Sequence, residues 1–258
     1  MVLSMDRWKG KVAVVTGASA GIGAAIAEKL VDEGLQVAGL ARRSERIEEL
    51  SRKLEGKAGK LHAVRADISK EEDVLRAFRW VADNLGPVHI LINNAGIGQD
   101  NSLVDGDTEK WRKVLDTNVL GLCIATREAI KVMRANGIDG HIVHINSVAG
   151  HVVPNFPGAN VYPASKHAVT ALTETLRQEL IHIQSGIKIT VKSVSPGVVD
   201  TEILETNDIK LSPEMEESFK TLPMLEPEDI ADSVAYVLST PPHVQVHELT
   251  VKPVGENF

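Results

Sequence analysis

Short apolar runs rich in β-branched residues alternate along this chain with longer stretches whose apolar positions recur every three or four residues. The first pattern marks buried strands and the second amphipathic helices. Strands are predicted at 11–16, 35–40, 61–66, 88–92, 141–145, around 187–194 and at 246–251. Helices are predicted at 21–33, 44–54, 71–85, 109–136, 161–184 and 227–238. Their ends carry stop signals: Gly34 after the first helix and Gly86-Pro87 after the third. Between Pro196-Gly197 and Met224 the pattern is mixed.

Strand-helix alternation of this kind calls for parallel strands joined by right-handed crossovers. The strand cores V-A-V-V and I-L-I are continuously apolar, as strands covered on both faces should be. No solenoid-length repeat, low-complexity tract or linker divides the chain. The expectation is an α/β fold: a single doubly wound, Rossmann-type parallel sheet of seven strands with helices on both faces, residues 1–258 forming one dinucleotide-binding and catalytic domain. In such sheets ligands lie beyond the carboxyl ends of the strands. The chemistry-bearing motifs fall at those ends or on the helices that follow them.

Composition narrows the function. Lys and Arg number 28 against 35 Asp and Glu, a formal charge of −7, which argues against nucleic acid as the main partner. The one cysteine, Cys123, forbids an internal disulfide and suits a reducing compartment; its apolar setting, G-L-C-I-A, reads as core. No stretch approaches the ~20 apolar residues of a membrane span, and no hydrophobic targeting core precedes the first strand. A cytoplasmic protein is the expectation. His141 and His144 lie three apart in a strand and face opposite sides, a poor metal pair, and no metal site is expected.

The first strand runs into T-G-A-S-A-G-I-G, residues 16–23. Glycines there permit a sharp strand-to-helix turn and a close approach of backbone to phosphate, and the following helix aims its free N–H groups at an anion. Gly17, Ser19, Gly21, Ile22 and Gly23 are the candidate phosphate contacts. At the end of the second strand, where a carboxylate would hold a ribose 2′-hydroxyl, the chain reads A-R-R-S. Arg42, with Arg43 as helper, can grip a 2′-phosphate, which points to NADP(H); alternatively both merely open a charged helix. Asp67, followed by Ile68, can accept from an adenine amino group or serve as a turn aspartate. N-N-A-G, with Asn94, lets a flat ligand lie at the fourth strand end, or braces the backbone.

The stretch V-Y-P-A-S-K places Tyr162 one helical turn before Lys166. A phenol has a reference pKa of about 10 and is a poor acid or base at neutrality; an adjacent ammonium would lower it. Taken alone, the pair could be an ordinary contact on a solvated helix face.

Taken together, T-G-A-S-A-G-I-G, N-N-A-G, a serine after the fifth strand (I-N-S), Y-P-A-S-K and S-P-G resemble, in order and spacing over essentially the whole chain, the short-chain dehydrogenase/reductase family of single-domain type. The resemblance implies interconversion of an alcohol and a carbonyl by hydride transfer with NADP(H). It implies Tyr162 as acid/base, Lys166 lowering its pKa and holding the nicotinamide ribose, Ser147 orienting the substrate oxygen, and Asn118 (D-T-N-V-L-G) holding a relay water. In S-P-G-V-V-D-T it assigns Val199 and Thr201 to the nicotinamide carboxamide.

Two features depart from the family pattern. No basic residue lies inside the glycine loop, so the NADP preference rests on Arg42 and Arg43. The tail V-H-E-L-T-V-K-P-V-G-E-N-F lacks the glycine-rich tetramer segment, which leaves a dimer through the two long helices as the analogous assembly beside a tetramer. Finer likeness, in M-D-R-W-K-G-K and V-L-S-T-P-P-H-V-Q, is to the subgroup of insect farnesol dehydrogenases and animal keto-steroid and dicarbonyl reductases. It implies a small hydrophobic alcohol or carbonyl, walled by residues 151–158 and 202–211. The competing reading is a nucleotide-binding sensor or scaffold without catalysis; intact Asn118, Ser147, Tyr162 and Lys166 count against it. An epimerase or dehydratase would need an added substrate lobe.

Overall fold

The structure is a computed structural model that describes residues 3–155, 158–183, 188–203 and 222–256. The apolar runs form β1 (Val12–Thr16), β2 (Gln36–Ala41), β3 (Lys60–Arg65), β4 (Val88–Asn93), β5 (His141–Ile145), β6 (Thr190–Pro196) and β7 (Glu248–Val251). All pair in parallel in one sheet of order β3-β2-β1-β4-β5-β6-β7. The chain builds outward from β1 to β3, then returns past β1 to β4. That reversal opens a crevice beyond the carboxyl ends of β1 and β4.

The amphipathic stretches form α1 (Gly21–Asp32), α2 (Ser44–Lys53), α3 (Glu71–Asn84), α4 (Thr108–Leu115), α5 (Leu122–Ala135), α6 (Tyr162–His182) and α7 (Pro227–Ser239). Strand side chains alternate between two cores, as a pleat requires. Ala13 and Val15 meet Ile26 and Leu30 of α1 and Ile230 and Val234 of α7; Val12 and Val14 meet Val74 and Phe78 of α3 and Ile124 and Met133 of α5. Among the described residues no helix is long and apolar enough to cross a membrane.

One predicted element differs. The stretch expected as a single helix over 109–136 is α4 and α5 joined by a π-helical segment, Asp116–Gly121. Its cause is local. Asn118 is drawn inward to the backbone of Ile97, and Gly121 packs so closely on the third-strand loop that a Cβ would lie 2.6 Å from Ile68 O. A widened turn accommodates both, and such turns recur at functional sites.

The N-terminal segment is stapled to the end of α7. Arg7 Nη2 and Trp8 Nε1 both donate to Leu238 O, at 2.7 and 2.9 Å. The fully buried Lys192 donates to Val237 O at 2.5 Å and to Thr240 Oγ1 at 3.3 Å. Three donors thus satisfy carbonyls that a helix C-terminus leaves free, where its dipole favours positive charge. Cys123, expected in the core, is half-buried on α5; burial still pushes its thiol upward, so it stays neutral.

His141 and His144 do face opposite sides of the sheet. His141 packs edge-on to Trp8, with centroids 4.9 Å apart, and the Nδ1 of His144 bonds Thr173 Oγ1 at 2.9 Å. Burial first, then Lys192, holds His141 down at about 2; burial first, then Lys166, holds His144 at about 3. In the unfolded chain each takes a proton near pH 6.5, while the folded state refuses it. Both folded values are depressed, so the stability is complete above that pH and is lost on acidification toward 3, by up to ~1.4 kcal/mol per pH unit for each histidine. Thermal unfolding followed from pH 7.5 to 5 is expected to show a falling midpoint, with a shallower fall in His144→Gln. An identical slope in the variant would remove His144 from this account.

Candidate active site

A cleft of about 300 Å³ lies at the carboxyl ends of β1, β2, β4 and β5. Its floor at one end is the turn from β1 into α1. Gly17 and Gly21 take φ of +70° and +51°, values that favour glycine. A Cβ on Gly17 would stand 2.9 Å from Ala95 Cα, and one on Gly23 would overlap Gly17 O and Asn94 Nδ2. The loop is therefore pressed against β4 while the first N–H groups of α1 stay open to the cleft. Such a cradle fits a pyrophosphate. Ser19 and Ile22 also line it. Asn94 braces the loop: its Nδ2 donates to Thr16 O at 3.0 Å and Gly17 O at 3.3 Å. Asn93 is buried, donating to Thr126 Oγ1 at 2.8 Å.

Arg42 and Arg43 line the cleft at the end of β2, as expected. The structure adds a carboxylate that strand-end reasoning did not foresee. Glu202, from the loop after β6, pairs with Arg46 Nη1 at 2.7 Å and with Arg43 Nη1 at 3.8 Å. Among the described residues no carboxylate pairs with Arg42, whose side chain is exposed. Asp67 and Ile68 sit in the wall beyond β3. Asp67 Oδ1 accepts from Ser69 N at 3.1 Å and Ser69 Oγ at 2.7 Å, so its turn role is realised.

The other end of the cleft is built by β5, the π segment and the start of α6. Lys166, 6% exposed, donates to Ile145 O at 3.0 Å; burial lowers its ammonium to about 8. Asn118 Oδ1 accepts from Ile97 N at 2.8 Å, and its Nδ2 donates to Ile97 O at 2.9 Å and Ser165 Oγ at 3.0 Å. A Cβ on Gly96 would stand 3.6 Å from Asn118 Oδ1 and 3.7 Å from Lys166 Nζ, so the two groups converge there. Ser147, at the head of the Val148–Gly150 turn, accepts from Ala149 N at 3.1 Å. Tyr162 lines the cleft beside Lys166, whose Nζ lies 5.8 Å from the ring centroid.

The expected lowering of the phenol is not what this geometry produces. Burial pushes Tyr162 up, and the group that favours its ionised form is the Ser147 hydroxyl rather than Lys166. The amine turns toward the carbonyl that solvates it, and the phenol rests protonated.

Thirteen residues named from the sequence share this cleft wall: Gly17, Ser19, Gly21, Ile22, Gly23, Arg42, Arg43, Asp67, Ile68, Asn94, Tyr162, Lys166 and Thr201. Asn118 and Ser147 stand behind it, in contact with its members. Val199 is paired with Leu225 instead. Glu202 and Ile203, the described part of the expected 202–211 wall, line the cleft too, and so do Lys113 and Thr117, which the sequence did not single out. The last two lie on α4 and the π segment, and a helical-face projection through a regular helix would not have aimed them here.

The residues assembled at this end can donate a proton (Tyr162), hold its conjugate charge (Lys166) and orient an oxygen (Ser147). A family profile described as short chain dehydrogenase matches residues 11–211. The chain is 55% identical to farnesol dehydrogenase of Aedes aegypti over 98% of its length and all of the relative. It is 46% identical to dehydrogenase/reductase SDR family member 11 of Mus musculus, covering 98% and 97% of the two chains. Among solved structures, the alcohol dehydrogenase of the archaeon Thermococcus sibiricus, complexed with 5-hydroxy-NADP, superposes with a TM-score of 0.81 at 27% identity, over 96% of this chain and 98% of that one.

Gly23 offers a direct check of the cradle. Because a methyl there meets a backbone carbonyl and a braced amide rather than a flexible tip, Gly23→Ala is expected to cost about 1–3 kcal/mol in denaturant unfolding. Unchanged stability would mean that the loop is not held as described.

Proposed function

The chain is an oxidoreductase of the short chain dehydrogenase family, and we propose that it interconverts an alcohol and a carbonyl on a hydrophobic small molecule with NADP(H). The observation that carries the reading is one continuous cleft, with a phosphate-fitting glycine cradle at one end and Tyr162 beside Lys166 at the other. When bound, the nicotinamide supplies or accepts the hydride. Gly17, Ser19, Gly21, Ile22 and Gly23 hold the pyrophosphate, and Asp67, Ile68 and Asn94 flank the adenosine. Val199 and Thr201 meet the carboxamide.

Tyr162 is the acid/base. Its buried phenol rests protonated at neutrality, ready to protonate a carbonyl oxygen as negative charge develops there. Lys166 remains largely an ammonium at pH 7, since its lowered value is about 8, and its charge stabilises the phenolate once the proton has left. Ser147 donates to the same substrate oxygen. Asn118 holds Ile97 and the neighbourhood of Lys166 in place and relays protons outward.

Arg42 is the 2′-phosphate ligand, supported by its lack of a carboxylate partner among the described residues and by the NADP-type ligand in the archaeal neighbour. Arg43 assists, sharing Glu202 with Arg46. An isoprenoid alcohol such as farnesol, or a keto-steroid or dicarbonyl, suits the exposed apolar residues on the loops beyond Ser147 and β6: Val152, Val153, Ile203 and Met224. The name of the insect relative supports the first of these. Of the expected pocket walls, 156–157 and 204–211 lie outside the described residues. A groove between α5 and α6, lined by Ile130, Leu172, Leu176 and Leu180, is the face through which we expect two copies to pair. The single cysteine, which can form no internal disulfide, supports the cytoplasm as the compartment we propose.

Tyr162→Phe is expected to leave NADPH binding by fluorescence titration nearly intact and to lower turnover roughly 10²–10⁴-fold with farnesol, isoprenoid aldehydes, keto-steroids or diketones. Wild-type turnover in the variant would end the acid/base assignment. Arg42→Ala is expected to weaken NADPH roughly ten- to a hundredfold while leaving NADH unchanged. Equal loss of both would refute the 2′-phosphate role.

A further inference from the structure

Beyond β7 the tail folds back: Glu256 N donates to Pro253 O at 3.2 Å, Gly255 takes φ of +95°, and Pro253 is buried. This return carries the Glu256 side chain under the turn that leaves β6. A Cβ built on Gly197 would overlap Glu256 Oε2 and stand 2.8 Å from Cδ and 3.0 Å from Oε1. The carboxylate therefore lies against the Cα of Gly197, and a larger residue there would have to displace it. Both its oxygens are shut off from solvent, and among the described residues neither meets a donor in bonding geometry. Burial pushes this carboxyl upward, opposed by Lys252 and the Val198 backbone.

An ordinary tail glutamate would point into water. This one is packed against a single peptide, and that peptide begins the segment assigned to the nicotinamide. Gly197 N donates to Val251 O at 2.7 Å, so β7 fixes the near side of the turn. On the far side Leu225 N donates to Val198 O at 2.9 Å, and Asp200 N to Leu225 O at 2.8 Å. The face under Gly197 is filled by Glu256.

We propose that Glu256 is a positioning residue for the nicotinamide end of the cofactor: its side chain props the Gly197–Val198 peptide, and through it the placement of Val199 and Thr201. The proposal rests on the cofactor reading given above. The prop acts through shape, so an isosteric amide serves and a truncation does not. It acts on the nicotinamide half alone, because the adenosine half is held by α1, β2 and the Asp67 turn.

The test uses the full chain with two probes, NADPH and adenosine 2′,5′-bisphosphate, which lacks the nicotinamide. Glu256→Ala is expected to weaken NADPH about tenfold and to leave the bisphosphate unchanged. Glu256→Gln is expected to retain wild-type affinity for both. Gly197→Ala should show the same selective loss, and adding it to Glu256→Ala should cost much less than it does alone, because the space is then free. Bisphosphate binding and melting temperature report whether each variant folds, and the pair of singles keeps the test open if one of them does not. Unchanged NADPH affinity in Glu256→Ala, equal loss of both probes, or additive losses in the double variant would overturn the proposal. Wild-type protein that bound neither probe would overturn the cofactor reading and this proposal with it.

Discussion

A buried ammonium with no carboxylate partner among the described residues is the constraint around which this site is arranged. Lys166 is 6% exposed and is held by one main-chain oxygen, Ile145 O, where β5 ends. An isolated buried charge is costly, so its placement demands a nearby carbonyl and neighbours that do not add positive charge. His144, one residue earlier in β5, accordingly stays neutral, bonded to Thr173 on the same helix as Lys166. The His144–Thr173 bond and the Lys166–Ile145 bond tie α6 to β5 at successive levels. The geometry of the Tyr162–Lys166 pair thus descends from sheet-to-helix packing.

The same burial settles the resting state of Tyr162. Proximity to an amine would by itself lower a phenol, and Tyr162 and Lys166 are one helical turn apart. In the folded protein desolvation dominates, because the amine is directed at Ile145 O and lies 5.8 Å from the ring centroid. On the reading proposed above, a phenol that stays protonated is the resting state suited to giving a proton to a carbonyl. The ammonium then matters after the transfer, when a phenolate exists to be stabilised. Attraction to the product of proton transfer lowers a barrier where equal attraction to reactant and product would not.

What the sequence discloses follows from what each feature depends on. The strands and helices are local: V-A-V-V and I-L-I are apolar on both faces because helices cover both, and their positions are legible to within a few residues. The glycine loop is legible because Gly17 and Gly21 need backbone conformations that other residues adopt poorly. The π segment is not, since it arises from Asn118 meeting Ile97 and from Gly121 meeting Ile68, contacts between distant segments. Asp67 presents both of its sequence readings at once, in the cleft wall and bonded to Ser69. Glu202 and Glu256 carry no motif. Glu202 is expected only as part of a pocket wall and Glu256 not at all, and the ties they make are defined only by the folded β6 loop and tail.

Those two glutamates show that the loop leaving β6 joins the two ends of the cleft. At Gly197 it rests on the tail. At Thr201 it reaches the glycine cradle, where a Cβ on Gly21 would stand 3.0 Å from Thr201 Cγ2. At Glu202 it crosses to Arg43 and Arg46 beside the phosphate end. That ion pair is exposed, and exposed pairs contribute little, about 0–1 kcal/mol. On the cofactor reading proposed above, a phosphate among these arginines would compete with Glu202 for Arg43 and so release one tie of the loop bearing Thr201. The tie at Gly197 is of another kind, made of close packing. Charge therefore fastens the loop reversibly at the phosphate end, while shape fastens it at the nicotinamide end. On the proposed reading, such a loop would keep its packing at Gly197 while its charged tie at Arg43 is exchanged.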